Sequence, residues 1–360
     1  MDRPDTMNRR EFLHPKKLAR SAGQLTGVLR DVAHVSRPPV PTQFAVLRIA
    51  HRAMATEFEL IFPYGCPDAT ALADQAFAEI DHLESQLSVY RESSEVSRLN
   101  RAAGMAAVPI EERLFELLQL SACLTVETGG SFDIASGVLI KLWGMFRGPR
   151  RVPIAEEIAE AMTRVGMKHV RLSAANRSVQ FLRPGLEINL GSIGKGYALD
   201  RAAELLLANS DMNSALLHGG HSSVLAIGAE PGDERGWLVS IRHPWNPDQG
   251  LAAVRLRDRA LGTSAATFQH LEYKGRKLGH ILDPRTGWPA EGIASASAVA
   301  DTAAEADALA TAFFVQGAEW TRAYCESHPG IGAIILPAGP SCEPLAFGLS
   351  PVECTLTHKE

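Results

Sequence analysis

Apolar residues recur along the chain with two different periods, which indicates both strands and helices. Short apolar runs at 45–49 and 58–62 predict two β-strands. The next segment predicts a helix from about residue 67, because apolar residues recur at three- and four-residue steps: Leu72, Ala76, Ile80, Leu83 and Leu87. A second amphipathic helix is predicted over 112–127, and it ends at two glycines.

The rest of the chain predicts more strands than helices. Helices are expected at 155–165 and 303–315. Short strands separated by Gly, Pro and Asn turns are expected at 169–172, 179–182, 186–190, 215–218, 224–227, 237–241, 252–256 and 331–336. Because these strands do not alternate strictly with helices, the sequence predicts an α+β fold and not a doubly wound parallel sheet.

Composition narrows the class of protein. The 360 residues are 46% apolar and 21% charged, which is typical of a globular protein with a substantial core. The formal net charge is −5 and no Lys/Arg cluster has interleaved aromatic residues, so no nucleic-acid partner is expected. No run approaches the roughly 18 apolar residues of a membrane span. Five cysteines without a C-x-x-C pair argue against a zinc site and a disulfide framework.

The N-terminal segment carries a partial targeting signal. Residues 8–13 (Asn-Arg-Arg-Glu-Phe-Leu) resemble a twin-arginine export motif, but no apolar segment of about 7–15 residues follows. We therefore expect 1–43 to be a polar tail that ends in a Pro-rich linker, followed by one large domain at 44–345 and a C-terminal tail at 346–360. A cytoplasmic location is favoured, and export remains the alternative.

Two segments carry candidate chemistry on short spacings. Residues 280–287 (His-Ile-Leu-Asp-Pro-Arg-Thr-Gly) place a histidine in a tight loop. The alternative is an ordinary structural turn, because Asp-Pro and Thr-Gly are common turn residues. Asp307 and Thr311 lie four residues apart and so share a helix face. Their oxygens suit Mg²⁺, which needs only one or two protein ligands beside a phosphate. The alternative is structural, with the aspartate favoured by the helix dipole and the threonine bonded to a carbonyl.

A third segment predicts an anion site. Residues 187–200 read as a strand that enters a Gly-rich turn and then a helix, and they include Lys195. Backbone N–H groups at such a helix start, together with a lysine, suit a pyrophosphate. The spacing is neither a P-loop nor a dinucleotide fingerprint, and structural turns of this composition are common.

Together these three segments resemble one family, the FAD:protein FMN transferases (ApbE family). Its members carry a D-L-G-x-I-x-K-G-Y-A-x-D turn and helix, an H-I-I-D-P-x-T-G loop and an A-D-A-L-A-T helix. In this chain the matching segments lie at 189–200, 280–287 and 306–311. The resemblance extends to further segments at 54–56, 87–91, 94–100, 128–133, 142–144, 218–220, 262–264 and 313–317.

The resemblance implies a single large catalytic domain with an ApbE-like, T-fold-like α+β architecture and a set of site residues. It assigns Mg²⁺ to Asp307, Thr311 and an oxygen of Ser192, expected to be its backbone carbonyl. It assigns FAD contacts to Met54, Tyr90, Ser131, Phe132, Asp133, Asn189, Lys195 and Ile281. Tyr90 is expected to stack on a ring, and Asp133 to accept hydrogen bonds from the adenine or flavin. His280 is the candidate general base.

Three positions depart from the commonest family pattern. Asn189 and His221 stand where aspartate is frequent, and Ala265 stands where glycine is usual. Asn189 keeps its hydrogen-bonding capacity but lacks the negative charge, so FAD contact is expected to survive with altered strength.

The resemblance implies FMN transfer from FAD to a Ser or Thr hydroxyl of an acceptor flavoprotein, with AMP as the leaving product. Two alternatives stay open from the residues alone. One is a Mg²⁺-dependent FAD pyrophosphatase that gives FMN and AMP, and the other is a non-catalytic protein that binds or delivers FAD. The sequence does not identify the acceptor or the oligomeric state.

Overall fold

An eight-stranded antiparallel sheet forms the centre of the fold, in the strand order β1-β2-β6-β7-β10-β13-β14-β15. The computed structural model describes residues 45–147, 149–265, 271–339 and 343–357. The strands of the main sheet are β1 (Val46–Ala53), β2 (Thr56–Pro63), β6 (Ser214–Gly219), β7 (Ser223–Gly228), β10 (Ala260–Ala265), β13 (Ile293–Ala300), β14 (Gly332–Pro337) and β15 (Leu345–Phe347).

Three smaller antiparallel sheets complete the strands. They are β3-β5-β4, β16-β9-β8 and the hairpin β11-β12. Their strands are β3 (Val108–Pro109), β4 (Val170–Ser173), β5 (Ser178–Phe181), β8 (Trp237–His243), β9 (Asn246–Leu256), β11 (Leu271–Tyr273), β12 (Arg276–Leu278) and β16 (Cys354–Leu356).

Eight α-helices lie in the described part of the chain. They are α1 (Ala69–Leu87), α2 (Glu95–Ala102), α3 (Glu112–Glu127), α4 (Gly137–Leu142), α5 (Ala155–Met162), α6 (Gly194–Ala208), α7 (Ala303–Gln316) and α8 (Ala318–Ser327). A short 3-10 turn spans Met167–His169. None of these helices is long and apolar enough to cross a membrane.

The main sheet is buried on both faces because its strands alternate apolar side chains between two cores. In β2, Phe58, Leu60 and Phe62 pack with the helices, whereas Ile61 faces the opposite core. That second core is shared with the sheet β16-β9-β8, which contributes Trp237 and Val254. The layers are therefore helices, main sheet and small sheet, as expected for elements with one apolar face each.

Small residues bring α6, α7 and the sheet unusually close together. A Cβ at Gly196 of α6 would collide with the backbone of Ala303, and a Cβ at Gly262 of β10 would collide with the backbone of Ala306. Helix α7 is buried on nearly every side, and most of its buried residues are alanines. This packing fixes where Asp307, one turn into α7, can lie.

Most elements predicted from the hydrophobic pattern are confirmed with small shifts at their ends. The strand predicted at 186–190 is wrong, because this segment joins no sheet. Its backbone bonds elsewhere: the side chain of Asn100 donates to the Ile188 carbonyl and accepts from the Ile188 N–H. The N–H of Asn189 donates to the carbonyl of Ile134 at 2.8 Å.

The predicted ends of the domain have different outcomes. Residues 1–43, with the arginine motif, lie outside the described residues, so the tail and its location stay predictions. The boundary expected at residue 345 falls inside β15, which pairs with β14. Further along the expected C-terminal tail, β16 pairs with β9, so this segment contributes strands to two sheets.

The close approach at Gly196 generates a stability prediction. We expect Gly196→Ala to lower the free energy of unfolding by about 1–3 kcal/mol, because the new methyl group meets backbone atoms that cannot rotate away. Gly104→Ala is the matched control, since a Cβ there makes only ordinary contacts, and we expect a change within about 0.5 kcal/mol. Urea unfolding measures both. Equal effects of the two substitutions would contradict the close packing of α6 on α7.

Candidate active site

A pocket of about 530 Å³ opens where α6, α7 and β10 meet. It is also bordered by the loop after β12, by the segment after α3 and by the turn between β6 and β7. Ten of the twelve site residues expected from the sequence border it: Tyr90, Ser131, Asp133, Asn189, Ser192, Lys195, His280, Ile281, Asp307 and Thr311. Segments far apart in the chain thus share one cavity.

Asp307 lies at the base of the pocket and is only 6% exposed. Its carboxylate accepts a hydrogen bond from the Gly196 N–H at 2.8 Å and from the Ser223 hydroxyl at 2.7 Å. Burial raises the pKa of Asp307, against the opposing effects of the Lys195 charge and of these two donors. The described residues form no ion pair with this carboxylate. Asp307 is therefore a desolvated acid, and the charge of Lys195 is the largest of the effects that oppose its desolvation.

Asp307 and Asp200 satisfy the N-termini of each other's helices. While Asp307 of α7 accepts from Gly196 in the first turn of α6, Asp200 of α6 accepts from the N–H groups of Ala303 and Ala304 at 2.7 and 2.8 Å. Helix N-terminal N–H groups lack partners within their own helix, and each terminus carries partial positive charge. The two carboxylates supply partners and opposite charge, so the helices are joined by reciprocal capping.

The other two expected metal-ligand residues lie at the same pocket. The Thr311 hydroxyl is 3.1 Å from the Ser264 hydroxyl and donates to the Asp307 carbonyl at 3.2 Å. Ser192 is partly exposed in the turn that precedes α6. The carbonyl bond of Thr311 is the one expected from the structural alternative, but its hydroxyl also borders the cavity. Within the described ranges, no group of three or more His, Cys, Asp or Glu is placed to hold a metal ion.

The pocket favours an anionic ligand. Lys195 has no hydrogen bond or ion-pair partner among the described residues, and Arg150 also borders the cavity. Helix α6 begins at Gly194 without a side-chain cap from its own N-cap residue, so its positive end faces this region. Both pocket aspartates, Asp133 and Asp307, have raised pKa values because they are buried.

The loop at 280–287 combines a structural turn with an accessible histidine. Asp283 anchors the turn, because its carboxylate pairs with Arg285 at 2.9 Å and its carbonyl accepts from the Gly287 N–H. Arg285 also donates to Gln316 at the end of α7. The His280 side chain is exposed at the pocket. Desolvation by the surrounding protein is the main cause that lowers the pKa of His280, and the positive charge of Arg150 is the second. The ring is therefore neutral at pH 7.

The residues expected to contact the flavin differ in how far their side chains are already occupied by other hydrogen bonds. The Tyr90 ring is half-exposed. Both oxygens of Asp133 already accept backbone N–H groups, from Ala135 at 2.8 Å and Met167 at 2.9 Å. Asn189 accepts from the Gly191 N–H, which closes the turn before α6. Asp133 and Asn189 therefore shape the backbone here, and a ligand contact from either remains a prediction.

Three of the expected residues are less accessible or lie elsewhere. Phe132 is 1% exposed, packs in the main core and does not border the pocket. Ser131 borders the pocket but is fully buried, and its hydroxyl donates to the Thr128 carbonyl. Met54 lies at the tip of the β1-β2 hairpin with a left-handed φ of 49°, and its N–H donates to Glu84.

Other residues that support or border the site were not assigned a role from the sequence. Ser223 and Asp200 bond to carboxylate or helix-end partners more than 80 residues away, which no local spacing indicates. Ser264 lies in a segment that resembles the family but was given no role. The three departures from the family pattern, Asn189, His221 and Ala265, all border the pocket.

Comparison with known proteins gives one consistent result. The model of the ApbE family matches residues 54–335. An FAD:protein FMN transferase of Treponema pallidum is 34% identical over 280 residues, covering 74% of this chain and 77% of that protein. A protein of the same name from Klebsiella pneumoniae is 31% identical over 261 residues, covering 70% and 73%.

Solved structures agree in fold. The ApbE protein of Thermotoga maritima superposes with a TM-score of 0.76 at 29% identity, over 83% of this chain and 96% of that one. The flavinyl transferase ApbE of Pseudomonas stutzeri gives 0.75 at 26% identity, over 86% and 99%. The mixed α+β architecture expected from the sequence is therefore confirmed.

Reciprocal capping generates a prediction about pH. Burial is the main cause that raises the pKa of Asp200 to about 7, from an ordinary value of 3.8. Between about pH 4 and about pH 7 the folded protein keeps a proton that the unfolded chain has lost, so this group's contribution to stability falls as pH rises. Asp200→Asn removes this titration. We expect the stability of the unmodified protein relative to Asp200→Asn to decrease across that window in urea unfolding.

The control for this series is Asp211→Asn, which changes an exposed aspartate just beyond α6. Its stability difference from the unmodified protein should stay nearly constant over the same window. A difference for Asp200→Asn that is constant, or that grows with pH, would contradict the protonation of Asp200 in the folded state.

Proposed function

This chain belongs to the ApbE family, and we propose that it transfers the FMN moiety of FAD to a Ser or Thr hydroxyl of an acceptor protein. It is an FAD:protein FMN transferase by its relationship to proteins of that name. Mg²⁺ is the proposed metal and AMP the proposed leaving product. The observation that carries this proposal is the single pocket that joins Asp307, Thr311, Lys195 and His280.

The donor set at the base of the pocket fits Mg²⁺. Asp307, Thr311 and the carbonyl of Ser192 would offer only oxygen atoms, which this hard cation prefers. The carboxylate is buried and lacks an ion-pair partner within the described residues, so a bound cation would offset its desolvation. When bound there, Mg²⁺ would neutralise charge on the phosphate oxygens of FAD.

The chain's own cations and dipoles would bind and orient the pyrophosphate. Lys195 stands in the first turn of α6, where backbone N–H groups and the helix dipole favour an anion. Transfer of a phosphoryl-type group needs mainly in-line positioning and charge neutralisation, so fixed donors on a buried helix are suited to it.

His280 would take the proton of the acceptor hydroxyl. Its lowered pKa leaves the ring unprotonated at neutral pH, as a general base requires. The hydroxyl oxygen would then form a bond to the FMN phosphorus while the bond from that phosphorus to the bridging oxygen breaks. The electron pair leaves on the phosphate of AMP, and the proton stays on the imidazole.

One reconstitution tests the proposal against both alternatives. The purified full chain is incubated with FAD, Mg²⁺ and a candidate acceptor domain, and acceptor mass and AMP are followed together. We expect the acceptor to gain the mass of FMN less one water, with one AMP for each adduct, and an acceptor whose target hydroxyl is replaced should gain nothing. AMP with free FMN would indicate a pyrophosphatase, and bound but intact FAD would indicate a carrier.

The metal role predicts a specific loss of activity. We expect Asp307→Asn to lower turnover by at least about 10- to 100-fold, because loss of even an outer-shell partner costs that much in metal sites. The Mg²⁺ concentration needed for half-maximal rate should rise as well. Glu305→Gln is the matched control on the same helix, since Glu305 does not border the pocket. Full turnover of Asp307→Asn at low Mg²⁺ would contradict a metal-binding role for this helix.

A further inference from the structure

The ring of Tyr90 is already held by an aromatic partner. Phe146 stacks on it with ring centroids 4.6 Å apart and planes inclined by only 11°. Tyr90 borders the pocket whereas Phe146 does not. Because the rings are nearly parallel, Phe146 covers one face of the Tyr90 ring; the Arg147 guanidinium lies 6.0 Å from the same ring's centroid, and Tyr90 as a whole remains half-exposed. Aromatic pairs in such offset-stacked geometry are favourable beyond their buried area.

Arg147 fixes the same residue through its backbone. Its guanidinium donates to the Tyr90 carbonyl at 2.8 Å, and it lies 5.2 Å from the centroid of the Phe146 ring. The ammonium of Lys141 also lies 5.2 Å from that centroid. Cations at these distances attract an aromatic face. Both the ring and the main chain of Tyr90 are thus tied to one loop.

That loop is anchored to the segment at 280–287 that carries His280. Trp143 is 1% exposed, and its indole N–H donates to the Gly287 carbonyl at 2.9 Å. Trp143 also holds the far end of the loop, because its carbonyl accepts a hydrogen bond from the Arg151 N–H. Gly144 has a φ of +70°, and a Cβ there would collide with the Pro149 carbonyl. The support under Tyr90 is therefore part of the same framework that carries His280.

We propose that Phe146 and Arg147 are positioning residues that hold the Tyr90 ring as a preformed stacking wall for the planar ring system of FAD. The inference deepens the proposed function and rests on it. An exposed tyrosine would lose side-chain freedom when a ligand stacked on it, and a ring that is already fixed avoids that cost. Neither Phe146 nor Arg147 needs to touch FAD.

The chemistry of transfer separates this role from catalysis. Neither planar ring system of FAD, flavin or adenine, changes when the phosphorus–oxygen bond of the pyrophosphate is exchanged. Stacking on either ring therefore stabilises the bound substrate and the transition state equally. Loss of the support should therefore raise KM and the Kd for FAD while leaving kcat nearly unchanged. A general structural defect would lower kcat and thermal stability together.

A double-mutant cycle tests the inference. Flavin fluorescence quenching, measured in Mg²⁺-free buffer with FAD as the probe, gives the Kd of the unmodified chain, Phe146→Leu, Tyr90→Ala and the double variant. We expect Phe146→Leu to raise the Kd by about three- to tenfold, and to have no further effect when Tyr90→Ala is present. Phe146→Tyr should restore the affinity, and Arg147→Gln should act in the same direction as Phe146→Leu.

Tyr64→Ala is the control, because Tyr64 is an exposed tyrosine, 79% accessible, that does not border the pocket. Its Kd for FAD should equal that of the unmodified chain. An unchanged Kd in Phe146→Leu, or an equal loss of FAD affinity with and without the Tyr90 ring, would contradict the positioning role of Phe146. Either result would leave the proposed function intact. Absence of FAD binding to the unmodified chain would instead contradict the proposed function and, with it, the wall.

Discussion

Two helices that cap each other's N-termini with aspartate carboxylates form the constraint on which the rest of the site depends. Asp307 accepts from the start of α6, and Asp200 accepts from the start of α7. This exchange is possible only because Gly196 and Gly262 let the backbones approach without a Cβ between them. The same contact places the Asp307 carboxylate at the base of the pocket and the first turn of α6 beside it.

The arrangement leaves an electrostatic strain that a cation would relieve. Both aspartates are largely desolvated, and the charge of Asp307 contributes to the raised pKa of Asp200. Helix dipoles, the Ser223 hydroxyl and the charge of Lys195 offset only part of this cost. A divalent cation bound beside Asp307 together with an anion beside Lys195 would relieve this strain, as the proposed Mg²⁺-assisted pyrophosphate chemistry requires.

The sequence predicted the features that depend on local spacing. The helix that carries Asp307 and Thr311, the Gly-rich start of α6 and the turn at 283–287 all follow from patterns within about fifteen residues. Periodicity failed at 186–190, where the amide of Asn100 replaces a neighbouring strand. It also missed β13, whose alternating Ala and Ser residues carry little strand signal although every one of them is buried. The reciprocal capping joins residues more than 100 positions apart, and a single sequence does not encode such a pair visibly.

Anomalous diffraction from crystals of the full chain soaked with Mn²⁺ and FAD would test directly whether Asp307 holds a metal ion beside the FAD phosphates. Mn²⁺ accepts the same oxygen ligands as Mg²⁺ and can be located by its own scattering. We predict a peak bound by the Asp307 carboxylate and the Thr311 hydroxyl, next to a phosphate oxygen at the start of α6. A peak elsewhere, with Asp307 still bonded only to Gly196 and Ser223, would contradict it.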